Sequence, residues 1–254
     1  MSATHDFIVG LARTHGPPPC RLLDFGCGAG EVVARALEAG FDAWGVDSFS
    51  DVWVQYAERA GTLGERIRLV ADGTALPFAD GWFDVVVSNQ VMEHVAEPSF
   101  VVAELARVLR AGGILIAIFP TREIVVEPHL KAPFVHWFAP GSPAQASALA
   151  LVHALGLGVG AKETRAAWIA AATDGLRRLI FYRREREAIA VFGADFHLVA
   201  RAEPAFMRDR IARSRQLRRF RKLVAPRWLD PALRMLCVRL ANVVLVFHRG
   251  ATRP

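Results

Sequence analysis

One stretch constrains this chain more than any other: Leu22-Leu23-Asp24-Phe25-Gly26-Cys27-Gly28-Ala29-Gly30-Glu31. A short apolar run ends at Asp24-Phe25, three glycines follow at every second position, and a helix-forming segment starts at Glu31. Glycines at that spacing let a backbone turn sharply and approach a ligand without Cβ clashes. The loop would open onto a helix N-terminus, where unpaired N–H groups favour carboxylate or phosphate. Such a loop belongs between a buried strand and the helix that covers it.

The sequence on either side supports that placement. Arg21–Phe25 reads as a strand and Glu31–Ala39 as a helix with Val33, Ala36 and Leu37 on one face, stopped by Gly40. Phe41–Val46 reads as a strand ending in Asp47, Ser50–Ala60 as a helix, and Ile67–Ala71 as a strand ending in Asp72. Phe83–Ser88 is a strand around Val85-Val86-Val87, Pro98–Arg110 a helix closed by Gly112-Gly113, and Ile114–Phe119 a fifth strand. Alternation at this spacing predicts an α/β fold: a doubly wound, mainly parallel Rossmann-like sheet with helices on both faces. Ligands of such sheets bind at the carboxyl ends of the strands, which groups Asp24, Asp47, Asp72 and Ser88–Gln90 into one site.

The pattern changes after Pro120. Thr121–Gly141 is irregular and rich in histidine and aromatic residues, and Ser142–Leu157 is an alanine-rich helix with Ser142 as its cap. Phe181–Val191 reads as a helix, Phe196–Arg201 as a strand, Pro204–Leu223 as one arginine-rich helix, and Asn242–His248 as a last strand. No repeat or low-complexity linker appears. The expected organisation is one domain over 1–254: an N-terminal helix in 1–20, a cofactor-binding core over 21–120, and a lid over 121–180. A basic helical insertion at 204–240 then precedes the last strand at 242–248.

Charge divides the chain. Residues 1–164 carry 11 Lys and Arg against 18 Asp and Glu, whereas residues 165–227 carry 16 against 6. That split suggests a catalytic body joined to a contact surface for something anionic. Cys20, Cys27 and Cys237 are too few and too scattered for a disulfide framework or a zinc site, so no metal is expected. A reducing, cytoplasmic setting fits, and the N-terminus shows no signal-peptide pattern. Ala132–Ala161 lacks any charged side chain, but Pro140, Gly141, Pro143, Gly156, Gly158 and Gly160 interrupt it. A buried or substrate-facing helix suits it better than a membrane span.

Asp-x-Gly-x-Gly-x-Gly after an apolar strand resembles the first signature of the class I S-adenosylmethionine-dependent methyltransferases. The resemblance extends through Ala71-Asp72-Gly73-Thr74-Ala75-Leu76-Pro77-Phe78, through Phe83–Val95, and through Glu104–Gly113, covering about residues 20–120. It implies S-adenosyl-L-methionine as cofactor. Asp24, Gly26, Cys27, Gly28 and Gly30 would form its loop, Asp47 would meet the ribose and Asp72 the adenine, with Ser48 and Gly73 as further cofactor-binding residues. Asn89 and Gln90 would lie beside it. Residue chemistry agrees, since a carboxylate accepts two hydrogen bonds from a diol and Asp72 offers an acceptor to an amine. Helix capping is the plainer role for Asp47 and Asp72. A nicotinamide fingerprint needs Gly-x-Gly-x-x-Gly, and here Glu31-Val32-Val33 follow the third glycine. Ser88-Asn89-Gln90-Val91 lacks the Asn/Asp-Pro-Pro-aromatic motif of amino-methylating DNA enzymes, so nucleic acid is disfavoured as acceptor.

The expected reaction is in-line methyl transfer to O, N or C of a small-molecule, lipid-like or lipid-linked acceptor. A base is needed only for a hydroxyl or a charged amine. Candidates are His129 and His136, with Phe134, Trp137 and Phe138 as an apolar wall; packing in a loop is the plainer role for each histidine. His94 reads as structural or cofactor-adjacent. Residues 206–224, with Arg208, Arg210, Arg213, Arg215, Arg218, Arg219, Arg221 and Lys222, read either as a solvated helix face or as a peripheral contact with an anionic membrane. An inactive cofactor-binding subunit and a membrane-bound scaffold are the alternatives to an enzyme.

Overall fold

The structure, a computed structural model, describes residues 3–48, 54–160 and 164–250. Helix α1 (Ala3–His15) leads into strand β1 (Arg21–Phe25), helix α2 (Glu31–Glu38) and strand β2 (Asp42–Asp47). A short helix α3 (Ala57–Gly61) and a three-residue strand β3 (Ile67–Leu69) follow. Of the expected helix Ser50–Ala60, residues 50–53 lie outside the described residues. Strand β4 (Phe83–Asn89), helix α4 (Pro98–Val108) and strand β5 (Leu109–Phe119) complete the first half. The strand after α4 begins earlier than Gly112-Gly113 suggested, because Leu109 already pairs with Phe83 before a register shift at Val85.

The sheet has the order β3-β2-β1-β4-β5-β9-β8, where β8 is Phe196–Arg201 and β9 is Val243–Arg249. Strands β1 to β5 pair in parallel, and β9 runs antiparallel to both β5 and β8. The order reverses between β1 and β4, which sets a crevice at their carboxyl ends. Alternation along β4 sends Val85 and Val87 to one face with Ile8, Val33, Ala36 and Phe206 and Val86 to the other, and the register shift between Phe83 and Val85 puts Phe83 on the side of Val86, with Leu105, Val108 and Phe192. Both faces are covered, so the strand reads as an unbroken apolar run. Each such fully buried large side chain contributes about 1.5–3 kcal/mol.

The segment after β5 builds its own small core. A two-stranded hairpin, β6 (Val126–Glu127) with β7 (Ala132–Pro133), precedes helices α5 (Pro143–Ala154) and α6 (Arg165–Arg178). Ser142 caps α5 by accepting from the Gln145 backbone N–H, as its position suggested. Helix α6 was not anticipated; its Trp168, Ala172 and Leu176 pack on Val135, Leu149 and Val152. The uncharged stretch from Ala132 is therefore broken among β7, a turn and α5, and among the described residues no helix is long and apolar enough to cross a membrane.

Two expected helices are shorter than their sequence pattern. Helix α7 is Glu185–Phe192, because Phe181 and Arg183 give their backbone groups to the Glu93 carbonyl and the Arg122 N–H instead of to a helix. The expected single helix Pro204–Leu223 ends instead as α8 (Glu203–Arg213). Ser214 turns to extended backbone, and its hydroxyl accepts from the Leu217 N–H. Continuing the helix would stack Arg215, Arg218, Arg219 and Lys222 at spacings where like charges repel. Helix α9 (Asp230–Leu240) then returns to β9.

Candidate active site

The glycine loop lies between β1 and α2, as expected, and its residues act in different ways. Gly26 has a φ of 73°, and a Cβ there would meet Val91 Cγ2 at 2.2 Å, so no other residue fits. Gly28 also has a positive φ, 51°, but a Cβ there would meet nothing within 4 Å. Gly28 thus faces open space, on the side where a ligand can come close. Gly30 sits at the N-cap of α2. The Gly26 and Cys27 N–H groups both donate to the Val46 carbonyl, which ties the loop to the end of β2.

Asp47 completes this tie. Its carboxylate accepts from the Gly28 N–H at 2.8 Å, which holds the open glycine at the carboxyl end of β2. Asp24 lies beside it in β1 and is almost fully buried. Burial, then the neighbouring Asp47 charge, pushes the Asp24 carboxyl up to about 7. A cationic or hydrogen-bond-donating group brought to this pair would restore its charge. Cys27 is buried, and Gly45 leaves room for its thiol; burial raises that thiol far above its ordinary range, so it stays protonated.

The remaining expected cofactor contacts are less uniform. Ser48 follows β2 and is half-buried. Strand β3 stops at Leu69, so Asp72 and Gly73 sit in an exposed turn, closed by Thr74 donating to the Ala71 carbonyl. That turn is anchored from α4: Glu104 accepts from the Leu76 N–H, and Arg107 donates to the Leu76 and Phe78 carbonyls. Asn89, at the end of β4, keeps a buried Oδ1 with no partner, a polar atom that a ligand donor would satisfy. Gln90 differs. Its φ is 58°, its N–H donates to Ile118, and its side chain donates to Asn242. It joins the ends of β4, β5 and β9 rather than pointing to the loop.

A second group of polar residues gathers around β6 and the segment after α6. Glu127 in β6 is fully buried and accepts three hydrogen bonds: from His129 Nδ1 at 2.7 Å, from the Tyr182 hydroxyl at 2.7 Å, and from the Leu130 N–H at 2.5 Å. Burial opposes its charge, but the donors outweigh it, and the carboxyl sits below its usual range. A carboxylate can only accept, so His129 carries its proton on Nδ1 and its lone pair on Nε2. His129 is exposed. His136 is not: both ring nitrogens are closed to solvent, its ring packs 5.1 Å from Tyr182, and burial lowers its pKa, keeping it neutral. The structure therefore separates the two histidines that sequence treated alike.

His94 holds the segment that follows α6. Its Nδ1 donates to the Leu179 carbonyl, and its ring meets His129 edge-on at 5.1 Å. Arg183 holds the same segment, donating to the Met92, Val95 and Ala96 carbonyls. Glu93 is buried with neither oxygen paired, and burial pushes its carboxyl up to about 8. One ligand atom each from Glu93, His94 and His129 lies within 4.8 Å of the others, the described set best able to hold a divalent cation. With Glu93 protonated near neutral pH, that set offers two imidazoles and no anion. Glu127, Tyr182, Glu93 and Arg183 were missed from sequence. The spacing Glu127-x-His129 was the only local signal, since Tyr182 arrives from 55 residues away.

This sheet order, with its single antiparallel strand and a glycine loop at the switch point, is the fold of the class I S-adenosylmethionine-dependent methyltransferases. Residues 23–117 match the model of the methyltransferase domain family. An uncharacterized methyltransferase of Mycobacterium sp. (strain KMS) is 39% identical over 106 residues, 41% of each chain. The chain thus spans about two-fifths of the curated relatives it matches. Among solved structures, an S-adenosylmethionine-dependent methyltransferase from Mesorhizobium loti superposes with a TM-score of 0.55 at 16% identity, covering 94% of this chain and 96% of that one. A geranyl diphosphate methyltransferase in complex with S-adenosylmethionine gives 0.53 at 16%, covering 97% and 84%.

Proposed function

We propose that this protein binds S-adenosylmethionine at the Asp24–Gly30 loop and transfers its methyl group to a hydroxyl or amine of a small or lipid-like acceptor. The observation that carries the reading is the open Gly28 at the end of β1, its N–H held by the Asp47 carboxylate at the end of β2; the exposed His129 beside buried Glu127 supplies a candidate base. Where the cofactor binds, it supplies an electrophilic methyl group on a sulfonium, which needs alignment more than activation.

The residues present suit that group. Gly28 leaves space for close approach, Asp47 has acceptor capacity for a ribose diol, and Asp24 offers a carboxyl to an ammonium. Asn89 Oδ1 waits for a donor. Asp72 would meet the adenine amine from the rim. On the acceptor side, His129 takes the acceptor's proton at Nε2 while Glu127 stabilises the resulting imidazolium. Tyr182 stays a neutral phenol, because burial and the neighbouring carboxylates raise its pKa, and it fixes Glu127 in place. Oxygen or nitrogen acceptors follow from the presence of this base.

The test has two arms. Calorimetry with S-adenosylmethionine should show binding that Asp47→Ala weakens strongly. Radiolabelled cofactor incubated with a bacterial metabolite and lipid extract should then yield a labelled product that His129→Ala prevents without loss of cofactor binding. An absence of cofactor binding would sink the reading. Binding without any labelled product favours an inactive cofactor-binding subunit.

A further inference from the structure

The eight cations expected on one basic helix fall into two groups. Arg208 is spent inside the fold: it donates to the Val224 and Pro226 carbonyls and pairs with Asp230 at 2.6 Å. Arg213 pairs with Asp209 and with Asp6 of α1, and Arg210 lies over the Phe206 ring. These contacts fasten the connection between α8 and α9 to the body. The connection itself, residues 214–229, holds Arg215, Arg218, Arg219, Arg221, Lys222 and Arg227 and no acidic residue. Its charge of +6 equals that of the entire chain.

Large apolar side chains stand among these cations. Leu217 and Phe220 are exposed, Leu223 is 67% exposed, and Trp228 is 78% exposed, the most of any large apolar residue described. Leucines and a tryptophan held in water beside six cations that make no ion pair among the described residues form a surface that neither folding nor solubility explains. We propose that residues 214–229 dock this protein on an anionic lipid bilayer. Trp228, Leu223, Phe220 and Leu217 enter the interface, and the arginines and lysine meet the phosphates. A nucleic acid would use the same cations, but its phosphate backbone gains nothing from Leu217 and Leu223. The short turns of this connection, held by Arg208, present a fixed patch rather than a floppy tail. The proposal does not depend on His129 or on the acceptor.

Co-sedimentation with vesicles of phosphatidylcholine, with and without phosphatidylglycerol, tests it at low salt. The protein should sediment only with the anionic vesicles. The combined substitution Arg218→Glu, Arg219→Glu and Arg221→Glu should reduce binding at least about tenfold. The pair Leu223→Ala and Trp228→Ala should reduce it while leaving the charge intact. Thermal melting that matches the wild type certifies that both variants fold. No binding at low salt, equal binding to neutral vesicles, or binding untouched by either variant overturns the proposal. So does tighter binding of duplex or single-stranded nucleic acid than of vesicles in the same buffer.

Discussion

Glu127, fully buried, accepts a hydrogen bond from His129 Nδ1 at 2.7 Å and so leaves Nε2 as the ring nitrogen able to take a proton. One residue separates them in sequence, yet the carboxylate is held by a tyrosine 55 residues further along the chain. A base of this kind typically contributes about 10²–10⁴ in rate. His129→Ala should therefore lower kcat by at least about a hundredfold, with the cofactor Kd unchanged. Glu127→Gln keeps the shape but can turn a donor toward Nδ1, and should lower kcat while leaving KM close to normal. Steady-state kinetics on the labelled product, with calorimetry beside it, checks both.

Asp47 and Gly28 predict the cofactor's affinity. Asp47→Ala removes the acceptor for the Gly28 N–H and, with it, the proposed ribose contact. Hydrogen bonds to charged groups contribute about 1.5–3 kcal/mol, so affinity should fall at least about tenfold. Gly28→Ala fills the open side of the loop at a positive φ that costs an L-residue about 1–2 kcal/mol. Its melting temperature should drop by a few degrees, whereas cofactor binding should disappear from the calorimeter.

Glu93 and Asp24 predict how stability depends on pH. Their folded pKa values, about 8 and about 7, lie above the ordinary 4.5 and 3.8. Below those ordinary values both states are protonated and nothing is lost. Between them and the folded values only the unfolded chain releases the proton, so stability falls as pH rises. The loss is of the order of a few kcal/mol and is complete above about pH 8. Glu93→Gln removes its share: the variant should melt close to the wild type at pH 5 and above it at pH 8.5. Scanning fluorimetry across that range, without cofactor, decides the matter.

Metal removal separates two roles for His129. If Nε2 serves as a base, dialysis against a chelator leaves the transfer rate unchanged, and excess zinc inhibits by occupying the lone pair. Loss of rate on chelation, restored by a divalent cation, would make Glu93, His94 and His129 ligands instead. Rates measured before and after chelation distinguish these outcomes.

Local chemistry carried much of the fold. Strand β1 and the start of α2 fall where the apolar run and the glycine loop put them, and β8 matches its alternating pattern residue for residue. Helix α4 begins at Pro98 as read, but β5 starts sooner than its glycines suggest, because pairing with Phe83 claims Leu109. The arginine-rich helix ends at Ser214, where its like charges would otherwise stack, and the turn brings Arg208 to the Val224 and Pro226 carbonyls and to Asp230. The charge spacing is written in the segment; the partners of Arg208 are not.

By itself, the sequence determined what a short window contains: which runs are strands, where the glycine loop turns, and that Asp24 and Asp47 end up near it on neighbouring strands. Turn geometry and side-chain alternation act over a few residues, so they leave a readable trace. Only the tertiary structure decided which histidine is open and which is sealed, that Gln90 serves Asn242 rather than the loop, and that Glu127 and Tyr182 stand behind His129. Those outcomes depend on burial and on partners brought together by packing across 55 to 152 residues, an arrangement that exists only once the chain has closed on itself.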